Sequence, residues 1–217
     1  IEKLSFFERI YYCKACAWYY YIQQNFPVHF KHTQKWVDTF EEYPDMKRQY
    51  PALYMRGLHS LLVALFYTTH YDKHLVTLKL LEEFIDNNKE TFDTDAEVQA
   101  FIYLFTSRIN QHFLEGTFSE GIRLIPEFKK QLAQYESHID DQRKLVFYYK
   151  IASLYFGSGD NSRAVGYLNE IINYKAGDLR SDIQCYARIL QLIAHFEMKN
   201  YTLLEYLGKS VYRFLAK

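Results

Sequence analysis

Three cysteines, eight histidines and a handful of paired acids are the residues of this 217-residue chain whose types could do chemistry. Cys13-Lys14-Ala15-Cys16 has the spacing of half a zinc site or of a redox pair, and Cys185 is one candidate third ligand. A structural zinc needs four ligands, however, and no second CxxC or HxxxH pair stands at a supporting distance. The bland reading, two small apolar residues on one helix face, is preferred. His29 with His32, and His70 with His74, could each present two imidazoles, yet both pairs adjoin expected turns and no carboxylate-x-x-His pair of a di-iron bundle occurs. The acids Glu41 and Glu42, Glu82 and Glu83, and Asp140 and Asp141 fall at helix surfaces or starts, where solvation or capping accounts for them. Asp93 to Glu97 is a poor substitute for the facing aspartate clusters of isoprenoid-processing helical enzymes. The chain contains no GxxxxGK[ST] loop, GxSxG elbow or HExxH helix. Arg180, Asp182 and Arg188 are expected to form a polar cluster, either a solvated face or a holder for a partner's carboxylate. The chemistry-bearing residues therefore point to no catalysis, no cofactor and no metal.

Composition narrows what positions them. Hydrophobic residues make up 49% of the chain, with 21 Tyr and 17 Phe but only 8 Gly and 4 Pro, which excludes disorder and favours helices over many short strands. Lys plus Arg and Asp plus Glu are both 26, so no global field favours nucleic acid or an anionic membrane surface. No apolar run approaches the roughly 20 residues that span a bilayer. Three unpaired cysteines suit a reducing compartment, and a cytoplasmic setting is the default. IEKLSFFERI lacks a signal core, although a start at Ile1 leaves room for a missing N-terminus.

Apolar spacing predicts ten helices in one continuous domain, 1–217, with no Ser/Pro/Gly-rich linker. They run from Leu4 to about Gln24, His29 to Glu42, Pro51 to Thr69, Lys73 to Asn87 and Asp95 to Leu114. The sixth, Ser119 to Tyr135, should bend at Pro126. Asp140 and Asp141 cap a seventh that reaches Phe156; Gly157 and Gly159 turn the chain; an eighth starts at Ser162. Ala176-Gly177-Asp178 separates it from a ninth, Ser181 to Glu197, and a tenth begins near Thr202. Five equivalent corners, Phe26, Tyr71, Phe118, Asn161 and Tyr201, recur at intervals of 45, 47, 43 and 40 residues. Ten positions after them stand Trp36, Leu81, Phe128, Ile171 and Val211, and nine before stand Ala17, Leu62, Ile109, Ala152 and Leu192, apolar throughout.

Ala152, Tyr155, Gly159, Asp160, Ala164, Leu168 and Ile171 resemble the tetratricopeptide repeat pattern, with Asn161 where that family has an aromatic ring. Gly116, Phe118 and Gly121 match it in part, whereas His29 and His74 replace a small residue. The closing stretch from Arg180 also resembles the C-terminal end of uncharacterised bacterial repeat proteins. The resemblance implies an all-α, TPR-like α-solenoid of about five antiparallel hairpins in a right-handed superhelix. It implies too that the first helix of each pair lines a concave groove, at Tyr21, Phe66, Phe113, Phe156 and Phe196 and one level along at Tyr11, Tyr103 and Tyr186. The expected function is a noncatalytic scaffold that grips a protein or peptide on these rings. Two alternatives stand beside it. In one, the rings form the interior pocket of a helical enzyme or ligand carrier; in the other, the terminal hairpin pairs with a second copy.

Overall fold

The computed structural model describes residues 4–174 and 180–216, which are helical and contain no strand. The chain divides into two compact units, Ile1–Glu115 and Gly116–Lys217. The first holds α1 (Phe6–Ile22), α2 (Phe26–Glu42), α3 (Pro44–Gln49), α4 (Pro51–Tyr67), α5 (Tyr71–Asn88) and α6 (Thr94–Glu115). The second holds α7 (Phe118–Gly121), α8 (Ile125–Gln134), α9 (Asp141–Gly157), α10 (Asn161–Ile172), α11 (Ser181–Glu197) and α12 (Tyr201–Leu215). All five corner marks are the first residue of a return helix. The expected bend is a break: a 3₁₀ turn at Ile122–Leu124 separates α7 from α8, and Pro126 sits in the first turn of α8, where its missing N–H breaks no bond. The short α3 is an addition that the apolar spacing did not mark, since it buries no residue fully and packs on the core through Met46 alone. Ala176-Gly177-Asp178 lies outside the described residues.

The corners share one backbone device. Gln24, Thr69, Gly116, Gly159 and Lys199, each two residues before a mark, all adopt the left-handed region, with φ of 56°, 54°, 67°, 85° and 60°. At four of them the Schellman bonds are formed, as in Gly159 N–H to Phe156 O (3.0 Å) and Asp160 N–H to Tyr155 O (2.9 Å). The side chains of Asn25 and Asp160 then accept from Val28 N–H and Arg163 N–H, satisfying amides at the start of the return helix. Gly157 is not part of this turn, contrary to the sequence expectation. It is the last residue of α9, and a Cβ there would lie 2.5 Å from the Phe118 ring, so glycine is needed for close approach.

Behind the corners the helices bury the apolar positions of the repeat register. In the first unit Trp36, Phe40, Leu58, Leu62, Leu65 and Leu81 are enclosed, the Trp36 indole lying against Gly57. In the second, Leu145, Ala152, Leu168 and Ile171 pack with Ile183 and Ala187. Each such Leu or Ile contributes about 1.5–3 kcal/mol by burial. Trp36, Leu81, Phe128 and Ile171 are fully buried, whereas Val211, on the last described helix, is only half-buried. His29 and His74 are buried too. His29 Nδ1 lies 2.9 Å from Ala17 O, the small Ala17 leaving room for the ring, and His74 Nδ1 lies 2.5 Å from Gln111 Oε1. A polar partner on the neighbouring helix thus lets imidazole occupy a position that close packing otherwise reserves for a small residue.

Candidate functional site

None of the eight aromatic residues expected at the groove register is buried. On α1, Phe7, Tyr11, Lys14, Trp18 and Tyr21 follow one another at offsets of three and four, so they share a face. Trp18 is 58% exposed and Tyr11 56%, and the Lys14 ammonium stands 5.3 Å from the Trp18 ring centre and 6.0 Å from that of Tyr11. Tyr21 closes this face against the corner: it meets Phe26 and Tyr67, themselves stacked at 4.3 Å, and burial with the Tyr21 contact pushes the Tyr67 phenol up to about 12. Phe66 and Phe113 are half-buried, and Tyr103 lies flat on His59 at 4.2 Å.

In the second unit Tyr186, Ile189, Ile193 and Phe196 form an exposed stripe on α11, with Tyr186 6.4 Å from Tyr149 and Phe196 6.0 Å from Tyr201. Phe156 is half-buried. His59 on Tyr103 and Tyr149 on Tyr186 are the same step of the register, twelve before one mark onto fifteen before the next. The sequence reading missed Lys14 and Trp18, and Ile189 and Ile193, as members of these faces. Their offsets from Tyr11 and Tyr186 carry the signal, but neither position is aromatic in every repeat.

The remaining chemical candidates have structural partners. Cys13 is buried, which pushes its thiol up, while Cys16 and Cys185 are half-buried. His32 stacks on Tyr20 at 5.6 Å and His70 leans on Phe30 at 5.4 Å. Among the described residues no three or more His, Cys, Asp or Glu gather where they could hold a metal ion. Glu41 pairs with Lys47 (2.6 Å), Glu42 with Arg9 (2.6 Å) and Glu82 with Arg108 (2.8 Å), and Asp140 caps α9. Arg180 grips Asp182 through two hydrogen bonds that hold its carboxyl below the usual range. Arg188 does not join that cluster; it bonds Gln184 O and stacks on Phe214 at 4.0 Å.

Two clefts lie on the other side of the hairpins, where a first helix forms the floor between two return helices. In the first unit α2, α4 and α5 enclose about 360 Å³ with Asp38, Glu41 and Asp72 on the rim. In the second, α8, α9 and α10 enclose about 770 Å³, lined by Tyr148, Tyr155, Tyr167, Lys129, Arg163 and Gly166 among others. No sequence signal marked either, because each is assembled from three helices. Among the described residues no helix is long and apolar enough to cross a membrane.

No protein-family model matches the chain, and no curated protein does. Among solved structures it is similar to a crystal structure from Podosopora anserina, assigned as a kinesin light chain with nearly identical TPR-like repeats. The TM-score is 0.62 at 16% identity, and the match covers 98% of this chain and 97% of that one. The fold is thus TPR-like, as the hairpin register implied.

Proposed function

We propose that the chain is a noncatalytic, protein-binding helical-repeat scaffold whose first-helix faces hold a peptide, above all the face of α1. The observation that carries this reading is Trp18, more than half exposed between Tyr11 and Tyr21 with the Lys14 ammonium at its ring. Large rigid rings left in water have a hydrophobic cost that covering them removes, and they order few rotamers on doing so. Lys14 adds a cation to this surface, which favours a peptide with an acidic residue beside an apolar one. Tyr186, Ile193 and Phe196 on α11 are the equivalent anchors of the second unit. A hollow of about 460 Å³ beside the α1 face, lined by Tyr11, Tyr50 and Arg56, opens on the surface, which suits a macromolecular partner better than an enclosed enzyme pocket.

A phage-displayed peptide library panned on the whole chain tests this. Selected peptides should lose roughly 30-fold in affinity to Trp18→Ala, as truncation of a central aromatic anchor does, with the melting temperature unchanged. A library that yields no peptide weakened by Trp18→Ala, Tyr11→Ala or Tyr186→Ala would defeat the proposal.

A second reading, self-association through the last hairpin, is favoured by α12. It buries no residue fully and leaves Tyr206, Tyr212 and Leu215 exposed. Sedimentation equilibrium of the whole chain separates the two: a monomer at high concentration removes the self-association reading.

A further inference from the structure

We infer that the cleft between α8, α9 and α10 is a second, separate binding site, for a peptide segment carrying a carboxylate side chain next to an apolar one. Its bed is apolar, with Ile151 and Phe128 below and Leu132 and Ala133 at the side. Its polar groups form two sets. Tyr155 and Tyr167 stack at 5.8 Å, and each carries a cation over its face: Arg163 at 5.6 Å on Tyr155 and Lys129 at 5.4 Å on Tyr167. Arg163 has a carboxylate neighbour in Asp160 at 3.4 Å. Lys129 has none within ion-pair distance among the described residues. The Tyr167 phenol beside it keeps that ammonium charged to higher pH than usual. A carboxylate placed here would accept from Lys129 Nζ, answering an ammonium that no carboxylate among the described residues reaches.

The far end of the cleft has the opposite character. Glu170, two helical turns or about 10.5 Å along α10 from Arg163, and Glu136 by the Lys144 ammonium (3.6 Å) line it. The occupant therefore has a direction, with its acidic residue toward Lys129 and Arg163 and a basic one toward Glu136 and Glu170. The fold alone does not produce this. The corresponding cleft of the first unit has less than half the volume and an acidic rim, and its lysine, Lys73, lies over Phe30. The larger space accompanies the break at Ile122–Leu124, after which α8 meets α9 through Phe128 on Phe147 at 4.8 Å. Gly166 lines the cleft and a Cβ there would touch nothing within 4 Å, so a large side chain at this point fills the site without disturbing the hairpin.

This site is distinguishable from the first-helix faces. A library of octapeptides, each position fixed in turn as Glu, Lys, Leu or Phe, is run against the whole chain carrying Trp18→Ala and Tyr186→Ala. The expected result is enrichment of an acidic residue beside Leu or Phe with Lys further along. Binding of the enriched peptides should fall about tenfold with Lys129→Glu and be lost with Gly166→Trp, while Gly166→Ala retains it. Circular dichroism confirms that each variant is folded. Absence of enrichment, enrichment of basic segments alone, or binding indifferent to both Lys129→Glu and Gly166→Trp overturns the assignment. None of these outcomes depends on whether Trp18 holds a peptide.

Discussion

The five corners make a quantitative claim about Thr69. It sits at φ 54°, the same left-handed position that Gly116 and Gly159 occupy in the second unit. An L-residue there costs about 1–2 kcal/mol, with β-branched side chains at the upper end. Thr69 gains little in return: it is exposed, and its hydroxyl bonds only the adjacent Thr68 carbonyl, at 2.8 Å. Replacing it by glycine relieves the strain and gives back about 0.5–1 kcal/mol through the greater entropy of the unfolded chain. The net expectation for Thr69→Gly is a stabilisation of about 1 kcal/mol, or a rise of about 0.5 M in the urea midpoint of the first unit. Gly159→Ala, at φ 85°, is the converse and should lose a similar amount. Urea unfolding followed by circular dichroism reads both. If Thr69→Gly is neutral or destabilising while Gly159→Ala is harmless, the common left-handed corner does not set the energetics of these turns.

Gly157→Ala should lower stability by about 1–3 kcal/mol, because the new methyl meets the Phe118 ring and overpacks it, whereas Gly166→Ala should raise it by about 1 kcal/mol through helix propensity. Thermal melts moving in the same direction would refute that contrast. Burial holds the His29 and His74 imidazoles below the ordinary histidine range, so the unfolded chain binds more protons than the folded one once the pH falls under about 6.5. Stability is then full above that pH and declines below it by up to about 1.4 kcal/mol per unit for each ring, a slope that denaturant midpoints between about pH 7 and 5 will show and that His74→Gln will reduce. A flat profile would mean that the rings take up protons in place.

The repeat skeleton was legible because hairpin packing imposes it locally. Trp36, Leu81, Phe128 and Ile171 stand at one register and are all buried, and each of Phe26, Tyr71, Phe118, Asn161 and Tyr201 begins a return helix. Gly157 was misread because turn formation and close approach both call for glycine, and only the Phe118 ring distinguishes them. The aromatic positions on the first helices were legible as a row. Their partners, His59 on Tyr103 or Phe26 on Tyr67, were not, since side chains from different hairpins meet through packing that no local spacing encodes. The cleft around Lys129, Tyr167 and Gly166 was invisible for the same reason, and the break before Pro126 was its only trace in the sequence.

Trp18 and Trp36 permit the most direct test of the proposal that the α1 face holds a partner peptide. The chain has two tryptophans, Trp36 wholly buried and Trp18 in water, so iodide quenching of the intrinsic fluorescence reports Trp18. Saturation with a selected peptide should shift the emission to the blue and protect Trp18 from iodide, to the point where little quenchable fluorescence remains. Emission and quenching that stay unchanged at saturating peptide would contradict the account.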